Sequence, residues 1–320
     1  MTYLITGGAG FIGSHLADAL LKRGEKVVCI DNFNTYYAPQ RKWRNIAQAI
    51  EHPCYTLIEA DIHDIAAMEQ VFATYRPRYI AHLAAMAGPR PSIAQPVLYE
   101  AVNVGGTVIL LDLARRYEIR SFVFASTSSV YGRTTKLPFT ETDPTDHPLS
   151  PYAATKKAGE VLAYTFHHLY AIPITVVRFF TVYGPRGRPD MTPLLFVDKM
   201  VRGESFILFN GGENLYRDYT YVDDIVTGVI AALDTELSFE IINLGNAEPV
   251  LMQRFVALLE SITGYAARIE ALPLPATDAP ITYADTSKAR QLLGYAPVTH
   301  IEDGLMHFWQ WYQQEVLPTV

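Results

Sequence analysis

The sequence contains only two cysteines, Cys29 and Cys54, among its 320 residues. Small disulfide-stabilised folds need several cysteine pairs at fixed spacings, so this chain does not belong to that class. Cys29 lies in an apolar run, and we expect both residues to be buried free thiols. The nine histidines show no paired spacing with cysteine or carboxylate residues that would be typical of a metal site, so no bound metal is expected.

Positive charge is also scarce, since 26 Lys and Arg face 33 Asp and Glu and the net charge is −7. Nucleic acids and membrane surfaces attract clustered cations, so neither is an expected partner. We expect no apolar run long enough to span a bilayer and no signal peptide before the first predicted strand. The expectation is therefore a cytoplasmic protein without a membrane segment.

Apolar residues make up 49% of the chain and charged residues only 18%, which is typical of a protein with a large core. Short β-branched runs alternate with helical patterns through the first half. Predicted strands cover residues 3–6, 26–30, 55–59, 79–83, 122–126 and 174–178, with helices over 12–23 and 97–117 among those between them. Apolar strands that alternate with helices predict an α/β fold, a doubly wound parallel sheet of Rossmann type.

The pattern changes after Arg178, where the irregular stretches 183–193 and 271–280 are rich in proline with glycine or alanine. A helix over 223–233 and a buried strand over 241–244 are predicted between them. We therefore predict an NAD-binding domain at 1–178, with a returning segment near 222–246, and a smaller α/β substrate domain at 179–320. The aromatic run 305–312 is interpreted as packing.

A glycine-rich turn lies between the first predicted strand and the first predicted helix. Gly7 permits a tight turn, Gly10 lets backbone approach a phosphate, and Gly13 lets the helix pack closely. The positive end of the helix, with Phe11 and Ile12 in its first turn, then meets a pyrophosphate. This context predicts a dinucleotide site.

Asp31 ends the second predicted strand at the spacing expected for a carboxylate that binds the adenosine ribose. Such a carboxylate repels a 2′-phosphate, so NAD is favoured over NADP, and neighbouring Asn32 is included in the predicted cofactor site. Asp61 and Ile62, after the third strand, are predicted to flank the adenine. An ordinary turn role for these strand-end residues is the alternative.

Tyr152 and Lys156 lie four residues apart at the start of a predicted helix, so their side chains share one face. An ammonium group and a cationic nicotinamide ring would stabilise a phenolate, which makes Tyr152 a candidate base. A hydroxyl from Thr127 can bridge Tyr152 and a substrate hydroxyl. Ser128 and Ser129 follow it at the same sheet edge and can bind substrate or serve only the turn.

The chain resembles the extended short-chain dehydrogenase/reductase superfamily over almost its whole length. The similar segments are Thr6-Gly7-Gly8-Ala9-Gly10-Phe11-Ile12-Gly13, His82-Leu83-Ala84-Ala85, Val130-Tyr131-Gly132, Tyr152 with Lys156, and Arg217-Asp218 with Tyr221-Val222-Asp223-Asp224. The resemblance implies a nucleotide-sugar substrate, with Arg217 on the diphosphate and with Leu83, Ala84 and Asn103 lining the cofactor. It also implies a homodimer formed by the helices after Gln95 and Ser150.

Two absences narrow the activity. Dehydratases of this superfamily have an Asp-Glu pair after the active-site threonine, and decarboxylases have a glutamate at the second of these positions. Here both positions are serines, Ser128 and Ser129. Without a carboxylate beside the reacting carbon, reversible oxidation is favoured over elimination or loss of carbon dioxide.

The segment from Arg178 to Pro185 has Thr181 where most relatives have asparagine, and it continues to Arg188. This stretch looks like that of UDP-glucuronate 4-epimerases. A guanidinium at Arg188 can pair with a C5 carboxylate and Thr181 can add a hydroxyl donor, while Arg186 is assigned to the surface. Arg90 is included with the substrate residues.

The resemblance has departures. Met86 replaces the usual glutamine, and the arginine or glutamine and the glycine that help to hold diphosphate in many relatives are missing. Their positions are Pro275, Ala276 and Thr277.

The expected reaction is NAD-dependent inversion at C4 of UDP-glucuronate through a 4-keto intermediate, which gives UDP-galacturonate. A UDP-glucose/UDP-galactose 4-epimerase, a UDP-glucuronate decarboxylase and a non-catalytic NAD-binding module are the alternatives.

Overall fold

The structure is a computed structural model that describes residues 1–276 and 278–317. The strands in these residues are β1 (Thr2–Thr6), β2 (Lys26–Asp31), β3 (Tyr55–Glu59), β4 (Tyr79–His82), β5 (Ser121–Thr127), β6 (Ile174–Phe179), β7 (Thr181–Tyr183), β8 (Ser205–Phe209), β9 (Tyr216–Tyr221), β10 (Phe239–Leu244), β11 (Pro249–Leu251), β12 (Arg268–Leu272) and β13 (Ile281–Thr282). The α-helices are α1 (Phe11–Lys22), α2 (Pro39–Ile50), α3 (Ile65–Tyr75), α4 (Pro89–Ala94), α5 (Pro96–Glu100), α6 (Gly106–Arg116), α7 (Pro151–Tyr170), α8 (Thr192–Val201), α9 (Val222–Thr235), α10 (Met252–Thr263), α11 (Ser287–Leu293) and α12 (Ile301–Glu315).

Seven parallel strands form the main sheet in the order β10-β6-β5-β4-β1-β2-β3. The strand order reverses between β1 and β4, and ligands of such sheets bind outside the carboxyl ends of the strands at this point. Every residue of β5 and β6 is buried because helices cover both faces of the sheet. The doubly wound Rossmann fold predicted from the sequence is confirmed.

Two apolar clusters fill the two sides of the sheet. One cluster includes Leu16 of α1 and Val226 of α9, and the other includes Met68, Leu110 and Ala163 of α3, α6 and α7. The predicted strands agree with the observed ones to within a residue at each end. The predicted strand over 241–244 is the end of β10, which pairs with β6 in the main sheet. The boundaries of the two domains stay a prediction.

The second half adds two small sheets outside the main one. One has the order β11-β9-β13 with β7 paired to β9, and the other pairs β12 with β8. The aromatic run near the C-terminus lies in α12, where Phe308, Trp309 and Tyr312 are buried in the larger cluster. Strands β7, β9 and β13 contribute Val182, Tyr219 and Thr282 to a cavity that Thr127, at the carboxyl end of β5, also lines. Cys29 is buried as expected, but Cys54 is only half-buried.

The predicted helix over 97–117 is not continuous. A π-helical turn, Ala101–Gly105, lies between α5 and α6. The combined segment Pro96–Arg116 is long and apolar enough to cross a bilayer, contrary to the expectation from the sequence. Of an apolar 18-residue stretch within it, 44% is buried inside the protein. Its buried side chains, among them Leu110 and Leu111, belong to the core. A core helix passes the same test, so this segment is weak support for a membrane span.

Candidate active site

The glycine turn between β1 and α1 is fixed by steric contacts of the backbone. Gly7 has φ +68°, a left-handed conformation that favours glycine. A Cβ at Gly13 would lie 2.3 Å from the carbonyl oxygen of Gly7, so the helix can approach the turn only without a side chain there. Gly10 precedes α1 and caps it with no side-chain hydrogen bond. The first-turn amides of α1 are therefore left for an anionic ligand, which fits a pyrophosphate.

A cavity of about 210 Å³ lies above this turn, at the reversal point of the sheet. All of the predicted cofactor residues except Asn103 line it. They are Gly7, Gly10, Phe11, Ile12, Gly13, Asp31, Asn32, Asp61, Ile62, Leu83, Ala84, Tyr152 and Lys156. We call this space the dinucleotide cavity.

Asn103, which was also predicted to line the cofactor, lies beside the cavity without lining it. Its side chain accepts a hydrogen bond from the Met86 amide at 2.8 Å and donates to the Met86 carbonyl and the Thr155 hydroxyl, both at 3.0 Å. It is only 1% exposed and does not line the cavity. The side-chain amide of Asn103 therefore links the segment after β4, at Met86, to α7, at Thr155.

Asp31 is held by backbone and by a lysine that the sequence pattern did not indicate. Its carboxylate accepts hydrogen bonds from the amides of Ala9 (3.2 Å) and Phe33 (2.9 Å) and from the Lys42 ammonium (3.1 Å). The side chains of Asp31 and Lys42 are 4% and 6% exposed. The pair is thus neutral overall, and Oδ2, with only the Ala9 amide bound, keeps capacity for a ribose hydroxyl.

The part of the cavity beside the ends of β2 and β3 is closed by a second set of contacts. Asn32 donates to Asp61 at 2.8 Å, and His63 donates its backbone amide to the same carboxylate. Burial raises the pKa of Asp61, but these hydrogen bonds more than offset it, so the pKa lies below its usual value. Asn32 and Asp61 therefore form one wall as an ionised, oriented unit.

Tyr152 is presented by the first turn of α7. The hydroxyl of Ser150 accepts a hydrogen bond from the Ala153 amide at 3.2 Å, and Pro151 occupies the first helical position, which together begin the helix here. Burial raises the pKa of Tyr152, and the charge of Arg188 and a hydrogen bond with Thr127 act in the opposite direction. Without a bound ligand Tyr152 is therefore a neutral phenol.

Lys156 lies one turn further along α7, with its ammonium 4.6 Å from the centre of the Phe124 ring. It is 2% exposed, and burial lowers its pKa to about 7, against the charge of Glu160. The sequence argument assigned the lowering of the Tyr152 pKa to Lys156. In the structure Arg188 and Thr127 act to lower the Tyr152 pKa against the larger effect of burial, and the action of Lys156 together with a nicotinamide ring stays a prediction.

An ion pair anchors α7 beneath the active-site face. Arg178 of β6 donates two hydrogen bonds to Glu160, each of 2.8 Å, and Ser126 of β5 donates a third at 2.6 Å. Both charged side chains are almost fully buried. The pair fixes the helix that bears Tyr152 to two strands, and it occupies the Ser126 hydroxyl.

A second cavity of about 500 Å³ continues from the first, and we call it the substrate cavity. Six residues line both spaces, and Tyr152 is one of them; the others are Phe11, Ile12, Ser126, Phe179 and Arg188. All of the predicted substrate residues line the second cavity. They are Arg90, Thr127, Ser128, Ser129, Thr181, Arg188 and Arg217.

Arg217 and Arg90 form a cationic end of the substrate cavity. Arg217 donates to the carbonyls of Tyr216 (2.8 Å) and Pro280 (3.0 Å), and burial together with the nearby charge of Arg90 lowers its pKa. Arg90 pairs with Asp278 at 2.7 Å and lies 4.6 Å from the Phe209 ring centre. Two guanidinium groups in one cavity wall suit a diphosphate. Of the three positions at which relatives hold diphosphate, Thr277 lies outside the described residues.

Arg188 lies between the two cavities and already has a carboxylate partner. Its Nε and Nη2 donate to the two oxygens of Asp190 at 3.0 and 2.6 Å. Tyr36 donates to Asp190 at 3.2 Å. Arg186, assigned to the surface from the sequence, pairs with Asp18 of α1 at 2.7 Å.

The sequence reasoning missed four site residues: Tyr36, Lys42, Asp190 and Asp278. Only Asp190 had a local signal, since it follows Arg188 by two positions. Across residues 1–276 and 278–317, no group of three or more His, Cys, Asp or Glu residues is placed to hold a metal ion.

Comparisons with known proteins agree with this geometry. UDP-glucuronate 4-epimerase from Thermodesulfobacterium geofontis is 41% identical over 98% of this chain and 97% of its own length. The crystal structure of UDP-glucuronic acid 4-epimerase from Bacillus cereus, in complex with UDP-glucuronic acid and NAD, matches with a TM-score of 0.91 at 36% identity, covering 98% of this chain and 99% of the other. That of UDP-glucose 4-epimerase from Thermotoga maritima with UDP-glucose gives 0.88 at 32% identity, with 98% and 99% covered.

A family model described as the NAD dependent epimerase/dehydratase family matches residues 3–245. The match spans the glycine turn, Tyr152 with Lys156, and Arg217. The chain therefore belongs to the NAD dependent epimerase/dehydratase family.

Proposed function

We propose that this protein is an NAD-dependent epimerase that inverts C4 of UDP-glucuronate to give UDP-galacturonate. The observation that supports this most strongly is the position of Tyr152, which lines both cavities where they meet. A group that can exchange a proton thus lies between a dinucleotide and a sugar. Relatives that are about 40% identical over nearly the whole chain are named UDP-glucuronate 4-epimerases.

The residues of the dinucleotide cavity fit NAD. When bound, NAD⁺ would supply a reversible hydride acceptor for C4, which would let the hydride return to the opposite face of the same carbon. The open amides of α1 would hold its pyrophosphate, and Asp31 with Lys42 would hold its adenosine ribose. Asn32, Asp61 and Ile62 would enclose the adenine, while Leu83 and Ala84 would form the opposite wall.

In this mechanism Tyr152 accepts the proton of the C4 hydroxyl. The Thr127 side chain, which is hydrogen-bonded to the Tyr152 phenol, orients the C4 hydroxyl. Because burial keeps the free phenol neutral, its ionisation needs added positive charge. Arg188 acts on it already, and a protonated Lys156 beside the cationic nicotinamide ring would complete this. The same phenol returns the proton after inversion.

The substrate cavity provides both a grip and room for the sugar to turn. Arg90 and Arg217 would hold the diphosphate at one end, and the cavity of about 500 Å³ leaves the pyranose space to rotate about that link. The same cavity is lined by four hydroxyl side chains, those of Thr127, Ser128, Ser129 and Thr181. They can donate hydrogen bonds to the C5 carboxylate together with the free edge of Arg188.

One observation favours a second candidate, a 4-epimerase of the neutral sugars UDP-glucose and UDP-galactose. The charge of Arg188 is balanced by Asp190, so the cavity has no uncompensated cation at that position. A neutral pair attracts a carboxylate only through oriented donors, and a neutral sugar meets no electrostatic penalty there.

Product analysis with each UDP-sugar tests the assignment. The purified protein with its bound NAD is incubated with UDP-glucuronate and, separately, with UDP-glucose. We expect UDP-galacturonate with little release of carbon dioxide, and at least about 10²-fold lower kcat/KM on UDP-glucose. Predominant UDP-galactose would favour the neutral-sugar enzyme, and stoichiometric carbon dioxide would identify a decarboxylase. Absence of turnover on any nucleotide sugar would leave a non-catalytic NAD-binding module.

We also propose a homodimer in the cytoplasm. Large apolar side chains are exposed on adjacent helices α4, α5 and α7; these are Ile93 (57%), Val97 (79%), Leu98 (41%), Val161 (54%) and Tyr164 (54%). A patch of this kind on helices that pack together is typical of a protein–protein interface. Light scattering of the purified protein would give a mass near twice 35.8 kDa if this is right.

A further inference from the structure

The loop over residues 184–190 is tied at two points to elements of the dinucleotide cavity. Near its start, Arg186 has φ +61° and pairs with Asp18 of α1 at 2.7 Å. At its end, Asp190 accepts a hydrogen bond from the Tyr36 hydroxyl at 3.2 Å. Arg188 lies between these two ties. Its position in the substrate cavity is therefore set from the cofactor side of the molecule.

The orientation of Arg188 depends on the second tie alone. Asp190 binds the guanidinium through Nε at 3.0 Å and Nη2 at 2.6 Å, a two-pronged contact that fixes the plane of the group. Tyr36 holds the carboxylate and also lies beneath the guanidinium, whose carbon is 5.6 Å from the ring centre. The Asp18–Arg186 pair makes none of these contacts.

This arrangement leaves one edge of the guanidinium for a ligand. A guanidinium has five N–H donors, and Asp190 takes the one on Nε and one on Nη2. Those that remain, on Nη1 and Nη2, form a second fork that can bind a carboxylate. Since Asp190 balances the charge of Arg188, recognition there depends on the direction of this fork more than on net charge.

Resting on the proposed function, we propose that Asp190, held by Tyr36, is a positioning residue that directs the free fork of Arg188 at the sugar carboxylate. Its effect is on the fate of the 4-keto sugar, which is a β-keto acid. In the side reaction the bond from C5 to the carboxylate breaks, its electron pair moves towards the C4 carbonyl to give an enolate, and carbon dioxide leaves. The enolate carbon then takes a proton from water.

That side reaction needs the breaking bond to align with the carbonyl π system. When a fork of fixed direction holds the carboxylate, the bond from C5 to the carboxylate cannot turn into this alignment. When Asp190 becomes an amide, its NH₂ opposes a guanidinium N–H, so one of the two bonds is lost and the fork turns. The sugar carboxylate can still accept hydrogen bonds from the hydroxyl side chains, so KM should change less than kcat.

The rival explanation is that Asp190 merely stiffens the loop. Asp18→Asn is the matched control, because it removes the other ion pair of the same loop by the same chemical change. Tyr36→Phe is the milder test, since it keeps the ring beneath Arg188 and removes the hydroxyl that bonds Asp190 and also Tyr99. All three variants are prepared with bound NAD, and their NAD content and circular dichroism are compared with those of the wild type.

The experiment follows epimer formation and released carbon dioxide from carboxyl-labelled UDP-glucuronate. For Asp190→Asn we expect the fraction lost as carbon dioxide to rise about tenfold and kcat to fall about tenfold, with KM changed less than about threefold. Tyr36→Phe should shift the fraction in the same direction by about twofold to threefold. Asp18→Asn should leave it at the wild-type value.

An unchanged fraction in Asp190→Asn, or an equal rise in Asp18→Asn, overturns the positioning role while wild-type turnover stands. If Asp190→Asn fails to fold, Tyr36→Phe decides, and an unchanged fraction there overturns the proposal. A wild-type protein that makes no UDP-galacturonate overturns the proposed function and this inference together.

Discussion

The dinucleotide cavity and the substrate cavity share six lining residues, yet the chain builds them in different ways. Most of the first cavity comes from short segments that directly follow β1, β2, β3 and β4, and each segment is continuous with its strand. The second cavity combines many separated stretches between Phe11 and Thr282. They include loops that follow no strand of the main sheet.

The difference reflects two kinds of constraint. Around the glycine turn the constraint is steric and local, because a Cβ at Gly13 would overlap the backbone of Gly7 and Gly8. Around Arg188 the constraint comes from contacts between loops that are distant in the sequence. Asp190 and Tyr36 fix the guanidinium only when these loops meet. Substitutions should therefore damage the two cavities in distinct ways.

Tyr152→Phe is expected to have the largest effect. Tyr152 lines both cavities, but its proposed work is on the substrate, since a phenyl ring cannot accept the C4 proton. Turnover of UDP-glucuronate should fall by about 10³-fold or more, while bound NAD remains. Product formation and the NAD released on denaturation are the two measurements.

Loss of NAD together with turnover in that variant would place Tyr152 among the residues that bind the dinucleotide. Undiminished turnover would remove Tyr152 from the mechanism. Circular dichroism of the variant serves as the control for folding, because the phenyl ring keeps the packing against Tyr99.

Gly13→Ala tests the steric constraint of the first cavity. Its Cβ would lie 2.3 Å from a carbonyl oxygen and 2.7 Å from the Gly8 Cα, both backbone atoms that cannot move aside independently. We expect the free energy of unfolding to fall by about 2–3 kcal/mol, with loss of bound NAD on gel filtration. Denaturant unfolding measures the first effect.

Gly105→Ala is the matched control, since a Cβ there meets its nearest atom at 3.8 Å, an ordinary contact. Its free energy of unfolding should stay within about 0.5 kcal/mol of the wild type. Equal losses in the two variants would show that close packing at Gly13 is not what the turn requires.

The pH dependence of stability tests the burial of Lys156 and has the smallest expected effect. In the unfolded chain a lysine titrates near a pKa of about 10.4, whereas burial lowers the Lys156 pKa to about 7 in the folded, cofactor-free protein. Between these values the unfolded state binds the proton and the folded state does not. This group therefore raises the free energy of unfolding with pH, by about 1.4 kcal/mol per unit above about pH 7.

Lys156→Met lacks this contribution and should be the more stable protein at neutral pH, with a margin that narrows as the pH rises. Urea unfolding of both cofactor-free proteins between about pH 7 and pH 9 measures the margin. The other titrating groups are common to both proteins and cancel in the difference. A margin that does not change with pH would mean that Lys156 titrates normally in the folded state.

Most of the sheet and of the dinucleotide cavity was predictable from the sequence. Six predicted strands agree with the observed ones because each is a short run rich in β-branched and other apolar residues. Asn103 was predicted to line the cofactor; it does not line the dinucleotide cavity, and its contact with a cofactor stays a prediction. Its partners, Met86 and Thr155, are distant in the sequence, and only the folded chain shows that they occupy the amide.

The residues that sequence reasoning missed have a common property. Lys42 pairs with Asp31 across β2 and α2, Tyr36 with Asp190 across the two halves, and Asp278 with Arg90 across the substrate cavity. Each is an ordinary charged or polar residue whose role depends on the partner. No spacing rule finds such pairs, because the partners are brought together by the packing of separate elements.

The positions of the six strands along the chain, the glycine turn and the face shared by Tyr152 and Lys156 follow from the sequence itself. They depend on periodicity, on backbone conformations that only glycine adopts, and on helical geometry, all of which act within a few residues. Tertiary structure alone decided that Arg188 lines both cavities with a neutralised charge and one free fork, and that burial lowers the pKa of Lys156 to about 7. Burial and charge pairing are properties of the assembled chain, since they depend on which distant groups exclude water from a side chain and which face it.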